Sequence, residues 1–168
     1  MIVKNLDSLD HYQKLAAWRL LSTIPDPEIP VITIAELGML RALDFEDGQW
    51  VVTFTPTYSG CPATDMLIDD ITQQMTLAGY TPVRVKISLD PAWTTDWMSS
   101  ESKQKLSDYG IAPPQGTACF QSDLPTSVTC PNCSNQSTQL ISEFGSTACK
   151  AHYKCLICYE PFDYFKCI

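Results

Sequence analysis

The spacing of apolar residues divides the chain into short α and β segments. Leu9, Tyr12, Leu15, Ala16 and Leu20 recur at helical intervals, with Arg19 among them, and predict a helix over 8–22 that Ser8 could cap. The helix cannot continue through Ile24-Pro25-Asp26-Pro27-Glu28-Ile29-Pro30, because three prolines remove donors and restrict their neighbours. That stretch reads as a loop displaying two carboxylates, Asp26 and Glu28. Ile34–Phe45 predicts a turn and then a strand. Trp50–Thr55, β-branched and aromatic, predicts a second strand, paired with the first across Asp47-Gly48. Pro62 suits the first turn of a helix over about 63–78. Ala63, Leu67, Ile71, Met75 and Ala78 form its apolar face, Asp65, Asp69 and Gln73 face away, and Gly79 ends it. Val83–Leu89 alternates as a third strand, Asp90-Pro91 breaks it, and Ser99–Tyr109 forms a last, polar helix.

The expected fold class is therefore α/β (α+β). A small mixed sheet of three to four strands carries packed helices and is followed by a cysteine-rich C-terminal module. The expected boundaries are 1–116 for the α/β domain, 117–129 for a linker opened by Pro113-Pro114-Gln115-Gly116, and 130–168 for the module. In that module, 137–145 and 151–154 would supply strands.

Composition narrows the function. A formal net charge of −8 is opposed to the basic face that nucleic-acid binding needs, and makes an anionic membrane surface a poor partner. Residues 1–116 hold 15 Asp and Glu against 8 Lys and Arg, so the acidity lies mainly in the first domain. No apolar run approaches the roughly 20 residues of a spanning helix, and the N-terminus lacks a signal-peptide layout. A cytoplasmic location is expected. In a reducing compartment the eight cysteines read as metal ligands or reactive thiols rather than as disulfides.

Cys130-Pro-Asn-Cys133 and Cys155-Leu-Ile-Cys158 are two C-x-x-C knuckles separated by 21 residues, just beyond the usual zinc-ribbon spacing. Each turns two thiolates toward one point, and together they complete a tetrahedral S₄ shell for structural zinc. A single iron or an iron–sulfur cluster could use the same four thiolates. His152 could replace one ligand, but a lone histidine beside a complete Cys₄ set is more often a bystander. Cys149 and Cys167 read either as buried small residues or as additional thiolate ligands.

Cys61 stands immediately before Pro62 and a helix. The unpaired N–H groups of a helix start favour thiolate, so the expectation is a lowered pKa and a nucleophile or soft metal ligand. The only histidines are His11 and His152, neither placed as a base, so metal capture is favoured over acyl transfer. A buried cysteine at a tight turn is the alternative.

Asp26-Pro27-Glu28, Ile34-Ala-Glu-Leu37-Gly38-Met-Leu40, Thr55-Pro-Thr-Tyr-Ser-Gly-Cys61-Pro62 and Asp90-Pro91-Ala-Trp93 resemble the small α/β domain of SufT-type iron–sulfur assembly factors, over roughly residues 8–112. The tail, from Phe144-Gly-Ser-Thr-Ala-Cys149-Lys through Glu160-Pro-Phe162-Asp-Tyr-Phe165-Lys-Cys167, is similar to the PaaD family of phenylacetyl-CoA epoxidase subunits, which joins that domain to a zinc ribbon. The resemblance implies an accessory protein rather than an enzyme. It would mature the iron–sulfur centre of the epoxidase reductase component during aerobic phenylacetate degradation. A zinc-only structural adaptor of the oxygenase is the alternative. It also implies that Cys61 is the functional cysteine, with Asp26 and Glu28 as its acidic loop. Structural zinc and a transient iron or iron–sulfur unit are the expected cofactors. The reductase and other oxygenase subunits are the expected partners, with a homodimer left open.

Overall fold

The computed structural model describes residues 6–115 and 124–166, with the backbone alone for 6–10. Helix α1 spans Leu6–Leu21, so Ser8 lies inside it rather than capping it. Its buried residues are Ala17 and Leu21, while Tyr12, Leu15 and Ala16 face solvent. Among the described side chains, the expected apolar stripe is thus displaced toward the C-terminal turns, which rest on the core.

Strands β1 (Leu40–Glu46) and β2 (Gln49–Phe54) form the expected antiparallel hairpin, with Glu46 opposite Gln49. Asp47 and Gly48 both take positive φ, 50° and 78°, the conformation that matches a two-residue turn to the strand twist. Helix α2 (Thr64–Leu77) then crosses back to β3 (Val83–Ile87), which pairs parallel to β2. The result is a mixed sheet of order β1-β2-β3. Leu67, Ile71 and Met75 of α2 are fully buried, as their spacing predicts, and burying each contributes about 1.5–3 kcal/mol. Ala78, the last residue of the predicted face, is exposed beyond the helix end. Helix α3 (Ser100–Asp108) is capped by Ser99, whose hydroxyl accepts from the Ser102 N–H.

A second sheet has the order β4-β7-β6-β5, from β4 (Ile111–Ala112), β5 (Thr138–Ser142), β6 (Lys150–Cys155) and β7 (Pro161–Phe165). Strands β4 and β7 go beyond the segments expected from the sequence. Strand β4 comes from the N-terminal side of the expected boundary at 116 and pairs parallel to β7. Residues 117–123 of the expected linker lie outside the described residues. Those from 124 onward pack on the ribbon: the Val128 N–H donates to Thr138 Oγ1 at 2.9 Å, and the Tyr153 hydroxyl donates to the Pro125 carbonyl at 2.6 Å.

The join between the two sheets is apolar. Cys149 and Phe165, both from the C-terminal part, belong to the core formed by α1, α2 and the first sheet. Phe165 meets Trp93 edge to face at 6.0 Å, and the Trp93 indole N–H donates to the Leu37 carbonyl at 2.8 Å. Gly38 must be small here: its φ is +75°, and a Cβ would lie 2.7 Å from Trp97 Cβ. The Leu37-Gly38 and Asp90–Trp93 segments, singled out from the sequence, therefore build the seat for the ribbon.

Candidate metal centres

The four ribbon cysteines converge. Their sulfurs all lie within 4.8 Å of one another, with Cys130 to Cys158 at 3.7 Å and Cys133 to Cys155 at 3.6 Å. A tetrahedral zinc with Zn–S bonds of about 2.3 Å requires sulfur–sulfur edges of about 3.8 Å. Two of the edges already match this length and the others lie within 4.8 Å, so the donor set suits a tetrahedral metal.

The backbone explains why. In each knuckle the N–H of the first cysteine donates to the carbonyl five residues on, Cys130 to Asn135 and Cys155 to Glu160, both at 2.9 Å. The residue after each second cysteine, Ser134 or Tyr159, takes positive φ of 59° or 63° and reverses the chain. These two turns are local copies of one design, the first in the loop ahead of β5 and the second joining β6 to β7. The N–H groups of Cys158 and Ile157 hold the Cys155 thiol below its ordinary range. The Glu160 N–H and the Asn132 amide bring Cys158 down to about 6. Burial instead raises Cys130. His152 does not join the cysteine quartet. Its Nδ1 lies 3.2 Å from Asp163 Oδ1, on the ribbon sheet.

The second candidate centre is built around Cys61. Cys61 is half-buried and packs against the N-terminal core, three residues ahead of α2. Its thiol pKa is raised, contrary to the sequence expectation. Burial is the main cause, and the charges of Glu28 and Asp26 add to it. The Ala63 N–H and the Thr64 hydroxyl act the other way without prevailing. The helix start does supply an N–H, but desolvation and two carboxylates outweigh it.

Asp26 also departs from the expectation of a displayed carboxylate. It is buried, and its Oδ1 accepts from the N–H groups of Glu28 and Ile29, both at 2.9 Å. Burial raises its pKa despite these bonds. Asp26 shapes the proline-rich loop, and Glu28 is the carboxylate that this loop presents.

Cys149 is buried at the start of the ribbon's long hairpin. Its sulfur lies 3.8 Å from Glu28 Oε2 and 3.0 Å from Thr147 Oγ1. Burial, with the Glu28 charge, pushes its thiol up to about 11. Tyr58 lies within the fields of Cys61, Cys149 and Glu28, which, after burial, raise its own pKa. The structure thus brings Cys149 to the acidic loop that also acts on Cys61. Among the described residues, the ribbon quartet is the group of three or more ligand atoms that meets at metal-binding distance. Cys167 lies outside the described residues.

Two family models match the chain. Residues 14–92 match "Iron-sulfur cluster assembly protein" and residues 114–166 match "PaaD zinc beta ribbon domain". A solved domain of unknown function from Bacillus anthracis shares the N-terminal fold, at TM-score 0.54 and 22% identity, over 59% of this chain and 95% of its own. An "Fe-S protein maturation auxiliary factor" of Porphyromonas gingivalis is 37% identical over 52% of this chain and 85% of its own. A protein of Escherichia coli (strain K12), named as a subunit of a "Putative 1,2-phenylacetyl-CoA epoxidase", is 60% identical over 90% of this chain and 91% of its own length. With that identity along both matched regions, the chain belongs to the PaaD family of phenylacetyl-CoA epoxidase subunits and joins an iron–sulfur-assembly-type domain to a zinc β-ribbon.

Proposed function

We propose that the protein is a non-catalytic maturation factor. It accepts iron or an iron–sulfur unit at Cys61 and passes it to the reductase component of a phenylacetyl-CoA epoxidase, while the ribbon quartet holds structural zinc. The observation that carries this reading is the placement of Cys61. A half-buried thiol, with no histidine base described beside it, faces the Glu28 loop in a domain of the iron–sulfur assembly type. A thiol held protonated is a poor nucleophile, whereas an arriving metal ion displaces the proton and stabilises the thiolate directly. Zinc suits the ribbon because a closed S₄ shell offers no open coordination position for chemistry. The expected setting is the cytoplasm, where the thiols stay reduced.

A second reading, a zinc-only adaptor that bridges oxygenase components, draws on the second knuckle. Leu156, Ile157 and Tyr159 are exposed there at 46%, 57% and 68%.

Growth and cofactor loading separate the two. Cys61→Ser should leave zinc content and folding unchanged, yet abolish phenylacetate-dependent growth and leave the reductase short of its cluster. Normal growth with a fully loaded reductase would remove Cys61 from the function and favour the adaptor.

A further inference from the structure

A single thiol holds a divalent ion weakly, so delivery through Cys61 calls for further ligands. Resting on the reading of Cys61 as the capturing thiol, we propose that the ion is held between the two parts of the chain, with Cys149 as a second thiolate ligand and Glu28 as a carboxylate ligand. The three groups come from three separate segments: the proline-rich loop, the loop ahead of α2, and the turn leading into β6.

Position supports this first. Cys149 is not one of the four clustered ribbon thiols. Its side chain leaves the ribbon and enters the core of the other domain, where it is 4% exposed. Contact supports it next. A cysteine kept only for packing would be expected among apolar neighbours. Cys149 lies in that apolar core and also has polar neighbours, 3.8 Å to the Glu28 carboxylate and 3.0 Å to the Thr147 hydroxyl. Its place is fixed from both sides, because its carbonyl accepts from the Lys166 N–H at 2.9 Å and the Lys150 N–H closes the turn on Thr147 at 3.1 Å.

The local charge balance points to a cation. Glu28 and Asp26 both act on Cys61 and on Cys149. The buried cation at this face, Lys150, has its ammonium 3.9 Å from Asp163 and also acts on Cys149 and Asp26, and Lys166 interacts with Cys149, so together they offset part of this negative charge. Ionising both thiols beside Glu28 would concentrate negative charge in a partly desolvated site, and a divalent ion at the centre would neutralise it. There is also a donor placed for that state. The buried Thr64 hydroxyl lies close enough to Cys61 to favour its thiolate. A metal-bound thiolate would give that hydroxyl an acceptor, as outer-shell donors do at metal sites.

Two thiolates and one carboxylate suit a borderline divalent ion such as Fe²⁺, for which Co²⁺ is a spectroscopic substitute. Each thiol loses its proton as its sulfur–metal bond forms, Glu28 binds as it stands, and no electron is transferred. Cys149 and Glu28 already lie 3.8 Å apart, but the three donors do not yet meet at ligand distance, so the site has to close on its ion. A site that closes on its ion and opens again serves delivery better than storage.

The test uses the full chain with zinc in the ribbon, titrated anaerobically with Co²⁺. The intensity of the thiolate-to-cobalt charge-transfer band reports the number of Co–S bonds. Wild type should bind one Co²⁺ beyond the zinc, with the intensity of two such bonds. Cys149→Ser and Cys149→Ala should each halve the band and weaken binding by more than the roughly 10–100-fold that loss of an outer-shell partner costs. Zinc content checks that each variant folds. One-bond intensity in wild type would overturn the role of Cys149 while leaving Cys61 as the capturing thiol, and it needs no variant to be seen. Full retention of the band in Cys149→Ser would do the same. No Co²⁺ bound beyond the zinc would overturn both this proposal and the Cys61 reading.

Discussion

The ribbon quartet and the Cys61 centre are both rich in metal ligands, yet they are built differently. In the quartet the sulfurs already stand 3.6–3.7 Å apart in two pairs, and backbone N–H groups help hold two of the thiols toward the charged form while burial and neighbouring thiols raise Cys130 and Cys133. At the Cys61 centre, burial and nearby carboxylates hold the thiols protonated, and the ligand atoms are not gathered. Preorganisation favours tight, permanent binding, whereas an unassembled and protonated set binds more weakly and reversibly. On the proposed reading, one chain would carry a site suited to keeping a metal and a site suited to passing one on.

The largest effect should come from breaking the quartet. Structural zinc contributes about 10–16 kcal/mol to the folding of a small module. Cys155→Ser should therefore lose about one zinc per chain and leave 130–166 protease-sensitive. Full zinc with full protease resistance would reject this ligand set.

A smaller loss should follow from cutting the join between the regions. Phe165→Ala removes a side chain that is 1% exposed against Trp93 and should cost about 3–5 kcal/mol. Thermal unfolding and intrinsic tryptophan fluorescence would both register it while zinc stays bound. An unchanged melting temperature would mean that the two regions are not coupled through this contact.

The third contrast is kinetic. With its pKa raised, Cys61 holds less thiolate at neutral pH than a free cysteine. A small alkylating agent should therefore modify it more slowly, with the rate rising as pH increases. Glu28→Gln removes a charge that disfavours the thiolate, so it should lower the pKa and speed the reaction. Alkylation faster than that of a free thiol would contradict the electrostatic account. The smallest effect belongs to the surface. Glu36 and Lys105 form a partly exposed ion pair, so Lys105→Ala should change stability by under about 1 kcal/mol and leave both centres untouched. A larger loss would show that this pair supports the fold.

Much of this is legible in the sequence because it rests on local rules. The two C-x-x-C pairs, the Asp47-Gly48 turn and the Leu67-Ile71-Met75 face each follow from spacing within a few residues. The features that escape a sequence reading are long-range. Strand β4 is two residues whose pairing partner lies about 50 positions on, and nothing local marks it. Strand β7 does leave a signal, since Phe162 and Tyr164 alternate with Asp163 and both are buried. The direction of the Cys61 pKa shift is hidden because the helix start is visible in sequence and the desolvation is not. Asp26 looks displayed in sequence, although an aspartate followed by Pro-Glu-Ile can turn inward to accept two backbone N–H groups. For Cys149, sequence alone does not separate packing from ligation, since only the fold places it against Glu28.

The contrast between a retained and a transferred metal is tested most directly by metal analysis of anaerobically purified, iron-reconstituted protein, comparing wild type with Cys61→Ser. The expected result is about one tightly held zinc per chain in both proteins, and an additional chelator-labile iron in wild type alone. Zinc with no additional iron in wild type, or equal labile iron in the two proteins, would contradict it.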